Sequence, residues 1–192
     1  MKKLFLLSLL ALTCLASFAQ TENEEASTPK SKYTLFTQKS GILVKQEYTD
    51  LGKVDGLSLE TVITTDVNTE KSVAGVRFET SYFISLQSGS LNYISVLDYD
   101  ELNACIKALE YMVTISESPI PEKYTEYKYL STENIKISIF TNKKKGWSAC
   151  VQTKSYTTKS QVFMSSEDLK SLIEKLNQAK KIIEASLSLT AE

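Results

Sequence analysis

The stretch Leu91–Ser116, LNYISVLDYDELNACIKALEYMVTIS, decides the fold. It begins as a short strand, reaches a capping signal at Asp98, and continues as an amphipathic helix in which Leu102, Cys105, Ile106, Leu109, Met112 and Val113 form one apolar stripe. The stretch Ser160–Ser186, SQVFMSSEDLKSLIEKLNQAKKIIEAS, repeats the design, with Leu169, Leu172, Ile173, Leu176, Ala179 and Ile183 as its stripe. Asp98 with Glu101, and Ser165 with Asp168, have the spacing of a capping box. In such a box the cap side chain accepts a free backbone N–H and the third helical residue reaches back to the cap's own N–H. Pro119 and Pro121 stop the first helix, because proline rejects a helical conformation in the residue before it. Lys180 and Lys181 suit the negative end of the second.

Working outward, the remainder reads as strand and turn. Candidate strands rich in Thr, Tyr, Val and Ile are Tyr33–Gln38, Ile42–Tyr48, Leu57–Thr65, Val73–Leu86 with a break near Thr80, Leu91–Leu97, Tyr124–Leu130, Ile135–Thr141, Trp147–Ser155 and Ser160–Met164. Gly41, Gly52, Gly56, Gly89 and Gly146 mark connections, and Gly75 inside a strand marks a bulge or bend. Hairpin-length connections and the lack of strand–helix–strand alternation predict an α+β fold: an antiparallel sheet with the two amphipathic helices packed on one face. Tyr82, Ile84 and Leu86, like Ala149, Val151 and Thr153, are expected to face the helices. Phe83, Ser85 and Gln87, like Cys150, Gln152 and Lys154, are expected to face away. The two helical stripes align at a shift of about 67 residues, which suggests a duplicated strand-strand-strand-helix unit over residues 57–116 and 130–186.

The chain divides into a leader (residues 1–19), a disordered tether (20–32) and one domain (33–192). Lys2 and Lys3, the apolar run Leu4–Leu15 and the small-x-small Ser17-Phe18-Ala19 make a signal peptide cleaved after Ala19, too short to span a bilayer comfortably. Its ending, FAQ, resembles export signals of Bacteroidetes-type bacteria. Export predicts a periplasmic or extracellular location; lipidation at Cys14 is the alternative, with Thr13 a poor match to the small residue such signals prefer. The tether TENEEASTPKSK has almost no apolar side chain.

The chemistry is mostly exclusion. The chain has 22 basic and 23 acidic residues; without Lys2 and Lys3 this becomes 20 against 23, a net charge of −3. That argues against a nucleic-acid partner, which needs a basic excess. No histidine is present, so Ser-His-Asp catalysis, Cys-His catalysis and histidine-ligated metals are excluded. No glycine-rich phosphate loop occurs. The acidic run Asp98-Tyr99-Asp100-Glu101 fits a helix start better than a Ca²⁺ site, and no cofactor is implied. An oxidising compartment would favour a Cys105–Cys150 disulfide, but the two cysteines fall on different faces, which predicts free thiols.

The weak candidates for partner or ligand binding are Phe83, Tyr127, Tyr129, the hairpin tip Lys143, Lys144 and Lys145, and Trp147 beside it. Charged turns and half-wet tyrosine strands are also ordinary surface. These features point to a non-catalytic exported module that contacts an envelope protein or glycan. A carboxylate-based hydrolase of envelope polysaccharide and a carrier of lipid or another small ligand are the alternatives.

Overall fold

The computed structural model describes residues 30–142 and 146–189. The leader, the lipidation candidate Cys14, most of the tether and Lys143–Lys145 lie outside the described residues.

The chain begins with a short helix α1 (Lys32–Thr37). Four antiparallel strands follow in sequential order: β1 (Val44–Val54), β2 (Leu57–Asp66), β3 (Ser72–Ser85) and β4 (Gly89–Asp98). Helix α2 (Tyr99–Ser116) leads to a second sheet, again in sequential order: β5 (Glu126–Leu130), β6 (Lys136–Asn142), β7 (Gly146–Gln152) and β8 (Gln161–Met164), with a 3₁₀ turn at Thr158–Ser160 before β8. Helix α3 (Ser166–Leu189) closes the series. The fold class is α+β, as the sequence implies, but the strands make two sheets and not one. Each long helix follows a four-stranded meander, one strand more than the repeat expected from sequence, and the helices start at Tyr99 and Ser166, 67 residues apart.

Alternation sets the inner face. In the first sheet, Leu57 and Leu59 on β2, with Ala74, Val76 and Phe78 on β3 and Leu97 on β4, join one buried cluster with the stripes of α2 and α3. Ile135, Ile137, Ile139, Ala149, Val151 and Met164 join it from the second sheet. Leu102, Leu109, Leu169, Leu172 and Leu176 are fully buried there, each contributing about 1.5–3 kcal/mol by leaving water. The two sheets meet along a buried polar seam. The Ser95 hydroxyl donates to the Thr153 carbonyl at 2.6 Å and to the Glu133 carbonyl at 3.1 Å, and Thr80 Oγ1 lies 3.0 Å from Thr153 Oγ1.

Several local expectations are corrected. Tyr33–Thr37 is helix, not strand, with Gln38 as its C-cap. Ser31 caps it by accepting the Thr34 N–H at 3.0 Å, and Phe36 is buried, so tertiary burial overrides the strand preference of YTLFT. Ser31 is buried and Lys32 is the first residue of the helix. Gly75 marks no bulge: β3 pairs regularly through it, and an added Cβ would lie 2.5 Å from the Leu97 carbonyl oxygen. Register shifts sit at Asp50/Gly52 and at Phe83/Ser85 instead, with Gly52 at φ +81°, inside β1 and not in a connection. β3 is continuous past Thr80; what ends there is its pairing with β2.

The two capping signals part company. Ser165 and Asp168 form the reciprocal box, with the Ser165 N–H donating to Asp168 Oδ2 at 2.8 Å and the Asp168 N–H donating to Ser165 Oγ at 3.2 Å. Asp98 makes no side-chain cap on α2. Its carboxylate accepts the backbone N–H groups of Lys32 and Tyr33, and Glu101 accepts the Thr132 N–H and hydroxyl at 3.0 and 2.9 Å.

Candidate functional site: an uncharged hairpin arm

β2 runs out at Leu57, opposite Thr80. β3 and β4 continue together beyond that point, with Ser81 paired to Asn92, Tyr82 to Leu91 and Phe83 to Ser90. At about 3.3 Å per residue, Ser81–Ser85 project about 17 Å past the four-stranded sheet. Among the described residues, no strand other than β4 pairs with β3 in this arm, and β4 is the last strand of its sheet. Ser81 donates to Asn92 Oδ1 at 2.8 Å across the arm, and the Ser88 N–H donates to Ser85 Oγ at 3.0 Å within its turn. Gly89, at φ +70°, supplies the left-handed residue that closes the turn.

The arm is apolar and bare. Leu86 at its tip is 96% exposed and Phe83 61%, and Tyr82, Ile84 and Leu91 are exposed as well. From Thr80 to Leu97 the sequence has no Asp, Glu, Lys or Arg. Exposed strand edges are normally guarded by charge, so this run departs from ordinary surface design. Tyr82, Ile84 and Leu86 therefore do not face the helices. Alternation gave Tyr82 the side of Ala74, Val76 and Phe78, but the helical layer does not cover it beyond the seam. At the base of the arm, the Lys159 ammonium stands 5.6 Å from the centre of the Tyr82 ring.

The other sequence candidates separate from Phe83. Tyr127, Tyr129 and Trp147 lie on the second sheet and pack against the buried cluster on the helix side, not on an outer contact face. The Tyr127 ring meets Tyr111 of α2 edge-on at 5.8 Å and Trp147 at 6.1 Å. The Trp147 indole N–H donates to the Ser118 carbonyl at 3.0 Å, fixing the segment just after α2. Their geometry is that of a staple under α2. Lys143, Lys144 and Lys145 lie outside the described residues.

Acidic groups elsewhere are engaged in structure. On the face of the first sheet away from the helices, Asp50, Lys53, Ser58, Glu60, Arg77 and Glu79 line a cleft of about 250 Å³. The Arg77 guanidinium holds Glu60 with one terminal nitrogen and Glu79 with the other, while Asp50 accepts the Gly52 N–H at 2.7 Å. Lys32 pairs with Asp100 at 2.7 Å. Among the described residues no cluster of three or more Cys, Asp or Glu has metal-binding geometry, and no helix is long and apolar enough to cross a membrane. Cys105 is buried in the inner cluster and Cys150 on the opposite face of β7, both as free thiols. Burial, with a lesser push from Glu101, drives the Cys105 thiol up to about 12, so it is held as an unreactive thiol.

No family model, no curated protein and no solved structure matches the chain.

The arm residues Tyr82, Ile84, Leu86 and Leu91 are absent from the sequence-derived candidates. The signal that finds them is the missing charge from Thr80 to Leu97 in a chain with 23% charged residues.

Proposed function

We propose that this chain is an exported, non-catalytic binding module of the cell envelope, and that the β3–β4 arm makes its principal contact. The observation that carries the reading is the arm itself: two strands, uncharged, with apolar side chains exposed at the tip. A two-stranded hairpin is marginal in water, and an apolar patch of this kind on a charged protein marks a surface that is covered in use. Export rests on the leader Met1–Ala19. An apolar arm selects an apolar counterpart over a glycan.

Two observations favour binding over the alternatives. The carboxylates of the outer cleft are already committed, Glu60 and Glu79 to one arginine and Asp50 to a backbone N–H, which leaves no opposed pair free for sugar chemistry in that cleft. The stripes of α2 and α3 pack directly into the inner cluster, as core side chains do, and not around a carrier's ligand.

Recovery of the protein with the envelope fraction tests the proposal. The double variant Phe83→Ser/Leu86→Ser should melt like the wild type, since both side chains are exposed, yet be recovered at least about tenfold less. Phe163→Ser, at an exposed apolar position on the second sheet, should be recovered normally. Equal recovery of all three proteins would contradict the arm's role.

A further inference from the structure

We infer that the occupant of the arm is a lipid surface: the tip enters the headgroup region of a bilayer while the rest of the domain stays in water. This rests on the reading of the arm as the contact element. Three features of the arm choose lipid over a protein partner. First, apolar side chains leave both faces of the ribbon. Tyr82 continues the helix side of β3, and its neighbour Phe83 points to the other side, where Ser81 and Glu79 precede it. A flat protein surface, or a second copy laid face to face, would cover one side and leave the other wet. A bilayer interface surrounds a tip on all sides.

Second, the arm is graded. Leu86 leads, Phe83 and Ile84 follow, and Tyr82 and Tyr93, with Leu91 beside Tyr82, lie nearer the sheet, where amphipathic rings suit the membrane–water boundary. Third, a cation stands at the base among mixed charge: Glu79 there is paired with Arg77, and Asp55 of the β1–β2 turn is acidic. Lys159, exposed and stacked on Tyr82, stands where the headgroups of an anionic leaflet would lie. The two open strand edges limit the depth. Backbone groups without partners are not tolerated in hydrocarbon, so the arm enters only about 5–10 Å, by its turn and the side chains around it.

Flotation of the leaderless chain with vesicles tests this, using pure phosphatidylcholine and an equal mixture of phosphatidylethanolamine and phosphatidylglycerol. The wild type should float with both, and more with the anionic mixture. Leu86→Asp should lower partitioning at least about tenfold on both, because a charge would have to enter the interface. Lys159→Gln should weaken binding to the anionic vesicles and leave binding to phosphatidylcholine unchanged. Phe163→Asp should float as the wild type does, and matching melting temperatures establish that each variant is folded. A wild type that floats with neither vesicle, or a Leu86→Asp protein that floats equally well, overturns the inference. If flotation fails while detergent-solubilised envelope proteins still retain the chain through Phe83 and Leu86, the partner is a protein and the binding reading stands without the lipid. If the arm variants change neither assay, both readings fall.

Discussion

Asp98 belongs by sequence to the junction of β4 and α2, yet its carboxylate serves Lys32, 66 residues earlier. One oxygen accepts the Lys32 N–H at 2.6 Å and the other the Tyr33 N–H at 3.1 Å. These are two of the N–H groups that a helix start leaves without partners, so Asp98 holds α1 against the first sheet. Asp98→Ala should cost about 1–2 kcal/mol, the range for losing a helix cap. Urea denaturation checks this. A midpoint that falls at constant slope gives the loss directly, and an unchanged midpoint would mean that the contact carries no net stability.

Glu133 secures the same helix from the second sheet, accepting the Ser31 hydroxyl at 2.7 Å and the Thr34 hydroxyl. Burial pushes its carboxyl up, but the hydrogen bonds from Thr34 and Ser31 and the charge of Lys154 outweigh burial and hold it below the ordinary glutamate value. The unfolded chain then binds the proton more readily. The stabilisation is fully present above the ordinary glutamate range and is lost as pH falls through the lowered folded value. Asp98 has the opposite sign: burial raises its carboxyl despite the Lys32 and Tyr33 N–H groups, so its titration lowers stability as pH rises through the raised value. Thermal melts of the wild type and Glu133→Gln should differ most above the ordinary glutamate range and converge as pH falls through the lowered Glu133 value. A gap that stays constant with pH would show that the charge of Glu133 is not what matters.

Gly75 makes a different kind of contact. Its bare Cα lets the backbone of β4 come close, and a methyl group there would meet the Leu97 carbonyl oxygen at 2.5 Å and Val96 Cγ1 at 2.7 Å. Gly75→Ala should destabilise by about 1–3 kcal/mol through overpacking. The expected readout is a lower melting temperature with unchanged far-ultraviolet circular dichroism. A more stable Gly75→Ala protein would show that β4 yields at no cost.

Sequence reading succeeded where the partners are near in the chain. The Ser165–Asp168 box closes within three residues, and the stripe from Leu169 to Ile183 depends only on helical period, so both were legible. Asp98 and Glu101 have a similar spacing, but Lys32, Tyr33 and Thr132 compete for their carboxylates, and nothing local announces those partners. The arm shows a second kind of limit. Alternation put Tyr82, Ile84 and Leu86 on the side expected to face the helices, but it does not tell where β2 ends or where the helices stop covering the sheet. Tyr127 and Trp147 show a third kind of limit. A tyrosine-rich strand suits a wet contact face and the underside of a helix equally well, and only Tyr111 of α2 decides between them. The missing charge between Thr80 and Leu97 is visible in the sequence alone.

Amide hydrogen exchange on the leaderless chain, free and bound to the envelope fraction, tests the role of the arm most directly. Free in solution, the amides of residues 82–92 should exchange much faster than those of Leu59, Val76 and Ile137 in the sheets, because the arm lacks neighbouring strands and a covering layer. On binding, the slowing should concentrate at the arm. Protection that appears elsewhere while residues 82–92 stay as open as in the free protein would contradict the arm as the contact element.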